Sequence, residues 1–251
     1  MRRILITGAA SGLAAGIASH LGRRGFERIA FTYRNTSPQN TLDALSREGV
    51  RADAVRIDFG ADAAQIQSEL DDCVRAHGPF DTLVHAVGPL VVKRFERTTL
   101  DDYREMFDGN VRSTVLASRA VLPAMREAKF GRIVVFGMNG SSETRPYRGF
   151  TLYQAAKSAV VAFARCLAVE EAKHGITVNA IEPGDIRQKT LTRAQALESN
   201  GPTPRGRPGS YEDIADAVAF FVAPERDFIT GSVLAVTGGL TQADERNAIR
   251  P

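Results

Sequence analysis

The chain has 251 residues, of which 43% are hydrophobic and 24% charged, an ordinary composition for a folded globular protein. This composition excludes a disordered chain and a collagen-like repeat, and two cysteines, Cys73 and Cys166, are too few for a disulfide scaffold. Both are interpreted as small buried hydrophobes. The net charge of +3 comes from scattered acids and bases without a basic patch, which argues against nucleic-acid binding.

The N-terminal apolar run, Ile4 to Ile6, is too short for a signal peptide. No run approaches the ~18 apolar residues of a membrane-spanning helix. We therefore expect a cytoplasmic protein with no membrane partner.

Short apolar runs alternate with segments of helical periodicity along the chain. Strands are predicted at residues 4–7, 29–33, 52–57, 82–86, 132–136, 177–181 and 233–236. Helices are predicted at residues 14–24, 41–48, 63–77, 100–129 (a pair, with any bend near Pro123), 152–174 and 211–222. This alternation predicts one α/β domain over residues 1–240, a doubly wound parallel sheet of about seven strands with helices on both faces. Residues 241–251 form a polar tail.

A glycine-rich turn joins the first strand to the first helix, with the sequence Thr7-Gly8-Ala9-Ala10-Ser11-Gly12-Leu13-Ala14. Glycines permit a tight turn and let backbone N–H groups approach a pyrophosphate, while the helix N-terminus contributes its positive dipole end. The chain here resembles the short-chain dehydrogenase/reductase family, whose pattern is TGxxxGxG, except that Ala14 replaces the third glycine. The resemblance implies a single-domain Rossmann fold that binds a nicotinamide dinucleotide at Gly8, Ser11, Gly12 and Leu13.

The end of the second strand favours NADPH over NADH. An acid at this point would bind the ribose 2′-hydroxyl of NADH, but the chain has Arg34 followed by Asn35, and a guanidinium binds phosphate oxygens through paired N–H groups. Asp58, with Phe59 beside it, matches the family acid that faces the adenine amino group. Asp58 could equally begin a helix as its N-cap.

Tyr153 and Lys157 lie four residues apart at the start of a long helix, hence on one face. A phenol can give a proton to a carbonyl oxygen, and a neighbouring ammonium is expected to lower its pKa from ~10. The resemblance implies that these are the catalytic tyrosine and lysine, and that Asn110 holds a water of the proton relay.

The family serine that binds the substrate carbonyl has no direct counterpart. An ungapped match from the fifth strand puts Met138 at its position, whereas counting back from Tyr153 favours a shifted Ser141. Ser142, Asn139 or a backbone N–H are the alternatives.

Further matches follow the family order. The family pattern NNAG becomes His85-Ala86-Val87-Gly88 after the fourth strand. The resemblance implies that Ala86, Val87 and Gly88 bind the cofactor, since Ala86 and Gly88 still permit its close approach, whereas His85 is interpreted as a structural hydrogen-bonding residue. Pro183, Gly184 and Ile186 match the turn that contacts the nicotinamide, and residues 185–209 correspond to the variable substrate lid. No spacing of histidines, cysteines or acids indicates a metal site.

The resemblance therefore implies an NADPH-dependent reductase of a small carbonyl substrate, most similar to 3-oxoacyl-[acyl-carrier-protein] reductases, whose substrates are carried on acyl-carrier protein. It also implies a homotetramer or homodimer that pairs through the helices near residues 100–127 and 152–174. Enoyl reductases of the family separate tyrosine and lysine by six residues, which would require a tyrosine where Phe150 stands. Pteridine reductases carry an arginine at Ser11. The alternative from another class is a nucleotide-binding protein with weak or no catalysis, used as a sensor or subunit.

Overall fold

The structure is a computed structural model that describes residues 2–186 and 189–240. Its seven strands are β1 (Arg3–Thr7), β2 (Arg28–Tyr33), β3 (Arg51–Arg56), β4 (Thr82–His85), β5 (Gly131–Phe136), β6 (Ile176–Pro183) and β7 (Val233–Val236). Its helices are α1 (Gly12–Gly22), α2 (Gln39–Arg47), α3 (Ala63–His77), α4 (Leu100–Phe107), α5 (Ser113–Ala128), α6 (Thr151–Glu171), α7 (Arg193–Leu197) and α8 (Tyr211–Val222). The predicted tail at residues 241–251 lies outside the described residues, as do residues 187 and 188 of the predicted lid.

The strands form one parallel sheet in the order β3-β2-β1-β4-β5-β6-β7, which confirms the predicted fold class. The strand order reverses between β1 and β4, and ligands of such sheets bind outside the carboxyl ends of the strands at this point. The glycine-rich turn follows β1 and residues 86–88 follow β4, so both lie at the reversal.

Two apolar cores cover the two faces of the sheet. Alternate side chains of β1 point to opposite faces, so Leu5 joins one core while Ile4 and Ile6 join the other. Helices α3, α5 and α6 pack on the face of Leu5, and α1, α2 and α8 pack on the opposite face. Burial on both faces explains why the strands are apolar runs without alternation.

Two details differ from the expectations. The predicted helix pair at residues 100–129 is interrupted by a π-helical turn at Asp108–Arg112, whereas Pro123 lies inside α5. Cys73 is buried as expected, but Cys166 is exposed on α6.

The segment Thr151–His174, which comprises α6 and the turn after it, has the length and composition of a membrane-crossing helix, with a mean hydropathy of 1.2. In the fold, its side chains at Val160, Val161 and Ala164 belong to the core beside β5 and β6. Packing in the core of the domain accounts for its apolar composition.

Candidate active site

The glycine-rich turn has a backbone suited to holding an anion. Gly8 and Gly12 adopt positive φ angles of 74° and 64°, a region that side chains disfavour. Ser11 precedes α1 as its N-cap and makes no side-chain capping hydrogen bond. The first N–H groups of α1 therefore lack a side-chain cap, and Ser11 is exposed beside them. Leu13, in the first turn of α1, is half-buried and packs against the apolar core.

The carboxyl ends of β1 and β4 are joined by Thr7. Its hydroxyl oxygen accepts hydrogen bonds from the backbone N–H groups of Ala86 and Val87, at 3.0 and 3.3 Å. Val87 in turn lies against Gly8, where an added Cβ would approach the valine side chain to 3.1 Å. The glycine-rich turn and the segment after β4 therefore form one continuous surface.

His85 is buried in the core beneath this surface, as a hydrogen-bonding residue. Its Nδ1 lies 3.0 Å from the hydroxyl of Thr7 and its Nε2 lies 3.0 Å from the hydroxyl of Ser113. Ser113 donates to the carbonyl oxygen of Gly109 at 2.6 Å, so its oxygen is left to accept from Nε2–H. Burial, with a smaller contribution from the charge of Lys157, lowers the pKa of His85 to about 3.

The predicted adenosine end of the site lies where β2 and β3 end. Arg34 is 64% exposed at its side chain and lies 4.0 Å from the carboxylate of Asp58, while Asn35 beside it is exposed. Asp58 does not cap a helix, because it accepts from the N–H of Gly60, and Asp62 caps α3 instead. Phe59 is buried and packs edge-on against His85 at 5.6 Å.

Lys157 and Tyr153 lie on α6, with Lys157 buried at the carboxyl end of β5. Its Nζ donates to the carbonyl oxygen of Phe136 at 2.9 Å and lies 5.7 Å from the centre of the Tyr153 ring. Burial, and secondarily the charge of Lys189, lowers the pKa of Lys157 to about 8.

The expectation that Lys157 lowers the pKa of Tyr153 is wrong for this structure. Burial of the phenol raises its pKa to about 12, because a buried site disfavours the phenolate. The phenol is thereby kept protonated, which suits a group that gives a proton rather than one that takes it.

Asn110 lies in the π-helical turn and is fully buried. Its amide nitrogen donates to the carbonyl oxygens of Pro89 and Met106 at 3.1 and 2.9 Å, while its Oδ1 has no partner among the described residues. A methyl group on Gly88 would lie 2.6 Å from this Oδ1 and 2.8 Å from Nζ of Lys157. The absence of a side chain at Gly88 therefore leaves open the space between the Oδ1 of Asn110 and the buried ammonium of Lys157.

Ser141 lies in the loop after β5, and its hydroxyl makes a hydrogen bond within that loop. The side chain is 2% exposed, and its Oγ accepts from the N–H of Met138 at 2.9 Å. Met138 and Asn139 are both half-buried where β5 ends, and Ser142 donates its N–H to Glu182.

The turn after β6 leads into residues 185–209, the predicted lid. Pro183 ends β6, and Gly184 donates its N–H to the carbonyl oxygen of Val236 at 3.0 Å. Ile186 packs on Gly209 at the other end of this segment, and Gly209 donates its N–H to the carbonyl oxygen of Asp185 at 3.0 Å. The two ends of the predicted lid are therefore held together beside β7.

These residues fit a nicotinamide dinucleotide. The uncapped start of α1 suits its pyrophosphate, the cradle at Gly88 gives room beside Lys157, and the cation at Arg34 lies past the end of β2. The sequence did not single out Glu182, Tyr147 or Lys189. Glu182 could have been found as a charged residue inside a buried strand. Nothing in the sequence pattern distinguished Tyr147 or Lys189.

A family model described as Enoyl-(Acyl carrier protein) reductase matches residues 8–241. The chain is 32% identical over 240 residues to the 3-oxoacyl-[acyl-carrier-protein] reductase FabG of Salmonella typhimurium, covering 94% of this chain and 96% of that protein. Among solved structures, it is similar to acetoin dehydrogenase from Enterobacter cloacae, with a TM-score of 0.87, 27% identity, and coverage of 100% and 99% of the two chains. It is also similar to a short-chain dehydrogenase/reductase from Serratia marcescens, with a TM-score of 0.83, 28% identity, and coverage of 96% and 98%.

Proposed function

The chain belongs to the short-chain dehydrogenase/reductase family of oxidoreductases that act on carbonyl groups, and from this premise we propose that it is an NADPH-dependent ketone reductase. The observation that carries the proposal is the convergence of Tyr153, Lys157 and Asn110 at the carboxyl ends of β4 and β5.

NADPH, held by the glycine-rich turn, Arg34 and Lys157, would supply the hydride for the carbonyl carbon when bound. Tyr153 gives its phenolic proton to the carbonyl oxygen, and burial keeps that proton in place until the oxygen becomes basic. Lys157 has one N–H bond to Phe136, which leaves two further donors for ribose hydroxyls and for water. The unpaired Oδ1 of Asn110 suits a water that returns a proton to the site.

Arg34 and its surroundings support NADPH rather than NADH. Its guanidinium is mostly exposed, so it can turn from Asp58 towards a 2′-phosphate. Asn35 adds an exposed amide donor beside it.

A carbonyl substrate is favoured over a carbon–carbon double bond, although the matching family model is described as an enoyl reductase. The four-residue spacing of Tyr153 and Lys157 and the phenylalanine at 150 support this choice. A 3-oxoacyl thioester on acyl-carrier protein is our preferred substrate, because the FabG relatives are named for that reaction.

We further propose a homotetramer or homodimer in the cytoplasm. Apolar side chains are exposed on α4 and α6, with Leu100 at 74% and Val169 at 81%. The loop with Phe228, which is 99% exposed, reaches α6 at Gly231, whose added Cβ would lie 3.6 Å from Ala168. A second copy would cover these apolar groups, and a monomeric mass in light scattering would contradict this.

The two cysteines are unpaired, in keeping with a reducing compartment.

The test is the initial rate of NADPH and NADH oxidation over a panel of 3-oxoacyl thioesters, acetoin-like hydroxyketones and simple ketones. We expect turnover with NADPH preferred, and its loss in Tyr153→Phe. Tyr103→Phe on α4 is the matched control, because it removes a phenol that is 47% exposed.

The second candidate is a cofactor-binding protein with little catalysis. It is favoured by Met138 at the serine position and by the burial of Ser141, whose side chain is 2% exposed. Tight NADPH binding, measured by fluorescence, with no turnover across the panel would establish this candidate and overturn the reductase.

A further inference from the structure

The loop between β5 and α6 has to supply a donor for the substrate oxygen without the family serine. Its conformation is fixed by Glu182, a carboxylate on β6 that is 1% exposed. One carboxylate oxygen accepts from the N–H of Gly140 at 3.0 Å and the other from the N–H of Ser142 at 2.6 Å. A buried carboxylate with both oxygens bonded to backbone N–H groups holds the loop in one arrangement.

That arrangement engages Ser141 from several sides. Besides accepting from Met138, Ser141 accepts a hydrogen bond at its carbonyl oxygen from Ser158 on α6 at 3.0 Å. The Oγ of Ser141 is used only as an acceptor, so it is the burial of the side chain, at 2% exposure, that keeps its hydroxyl from a ligand.

Tyr147 lies in the same loop and is differently placed. Its hydroxyl oxygen accepts a hydrogen bond from Nδ2 of Asn139 at 2.9 Å, and Asn139 directly follows Met138 where β5 ends. Because this bond uses the oxygen as acceptor, the phenolic O–H keeps its capacity to donate. The side chain is half-buried, so it is not enclosed in the core as Ser141 is.

A row of aromatic rings connects Tyr147 to the catalytic phenol. The ring of Tyr147 meets that of Phe150 edge-on at 6.1 Å, and Phe150 lies 6.3 Å from the ring of Tyr153. These contacts connect the ring of Tyr147, through that of Phe150, to the ring of Tyr153 at the start of α6.

We propose that Tyr147, oriented by Asn139, donates a hydrogen bond to the substrate carbonyl oxygen in place of the family serine. This inference rests on the proposed reductase function. Tyr153 transfers its proton to one lone pair of that oxygen, while Tyr147 stabilises the developing negative charge at the other and keeps its own proton. Preorganised donors of this kind, including tyrosine hydroxyls, stabilise oxyanions in other enzymes.

The test compares Tyr147→Phe, Asn139→Ala, Ser141→Ala and Tyr153→Phe with the unmodified protein on the best substrate found. Removing one oxyanion donor costs ~10²–10³ in kcat, so we expect that loss in Tyr147→Phe and a smaller one in Asn139→Ala. Because the donor acts mainly in the transition state, kcat and kcat/KM should fall together. The Kd for NADPH and the Tm should stay at their original values, and Tyr103→Phe is the matched control.

Each of the following outcomes would overturn the role of Tyr147 as a hydrogen-bond donor. Turnover that is lost in Tyr153→Phe but unchanged in Tyr147→Phe overturns the role of Tyr147 alone. A large loss in Ser141→Ala with an intact Tm assigns the donor to Ser141 and overturns it too. A parallel fall of Tm and NADPH affinity in Tyr147→Phe means a structural role and also overturns it. Absence of turnover in the unmodified protein overturns the reductase and this role together.

Discussion

Lys157 reaches across the carboxyl end of β5, where its Nζ donates a hydrogen bond to the carbonyl oxygen of Phe136 at 2.9 Å. The same ammonium is buried, and its pKa is lowered to about 8, mainly by that burial and secondarily by the charge of Lys189. Its protonation therefore changes within the range in which an enzyme can be assayed.

We predict that kcat/KM for carbonyl reduction falls as the pH rises through about 8. The charged form of Lys157 is lost above its pKa, and with it the cation that supports the site. Removing the neighbouring charge in Lys189→Gln should raise that pKa and move the falling limb to higher pH. A pH profile that is flat from 6 to 10 would contradict this dependence.

Arg34→Ala should weaken NADPH binding while leaving NADH binding nearly unchanged. A hydrogen-bonded pair with a charged group contributes about 1.5–3 kcal/mol, so we expect a roughly 10- to 100-fold rise in Kd for NADPH. Arg75→Ala is the matched control, since Arg75 is an exposed arginine in the last turn of α3. Fluorescence titration with both cofactors measures the effect, and an equal loss for both would argue against a 2′-phosphate contact.

Gly88→Ala should lower turnover and NADPH affinity together. The added methyl would lie 2.6 Å from Oδ1 of Asn110 and 2.8 Å from Nζ of Lys157, so both groups must give way. Overpacking of this kind costs about 1–3 kcal/mol of stability.

Gly49→Ala is the control for Gly88→Ala, because we expect it to lower stability without changing activity. Gly49 has a φ of 74°, and an added Cβ would meet nothing within 4 Å. We expect this variant to lose Tm through backbone strain but to keep its kinetics. Unchanged kinetics in Gly88→Ala would mean that Lys157 and Asn110 adjust without consequence.

His85 should make the protein sensitive to acid. Burial holds its pKa at about 3 in the folded state, whereas the ordinary value is 6.5. Below pH ~6.5 the unfolded chain takes up a proton that the folded chain does not, so stability is lost as the pH falls towards 3. The loss amounts to about 2 kcal/mol between pH 7 and pH 5.

Urea unfolding at the two pH values, for the unmodified protein and for His85→Gln, measures this contribution. Glutamine keeps a donor and an acceptor for Thr7 and Ser113 but does not titrate. The variant should show a smaller difference between the two pH values. An identical difference in both proteins would show that His85 is not the acid-sensitive group.

Much of the fold could be predicted because it depends on local patterns. The helix predicted from its periodicity at residues 63–77 is α3, Ala63–His77, with the same bounds. The glycine-rich turn and the spacing of Tyr153 and Lys157 are likewise local, so their place at the carboxyl ends of the strands follows from the order of elements.

Other features depend on contacts between distant parts of the chain. The π-helical turn lies where the ring of Pro89 packs against Gly109. A Cβ on Gly109 would be only 2.5 Å from that ring. The engagement of Ser141 depends on a loop that Glu182 holds from β6, 40 or more residues along the chain. Helix α7, by contrast, was not predicted although the reciprocal capping contacts of Thr192 and Gln195 at its start are a local signal.

The π-helical turn also has a meaning in terms of chain length. It contains one residue more than an α-helical turn would need, and the wider turn takes up that residue as a bulge. The helices α4 and α5 therefore keep nearly the faces that they would present in one regular helix. Removing Gly109 would close the bulge and leave both helices packed as they are, while Asn110 would enter a regular turn and leave its place beside Gly88. One surplus residue thus separates a folded protein with the site from a folded protein without it.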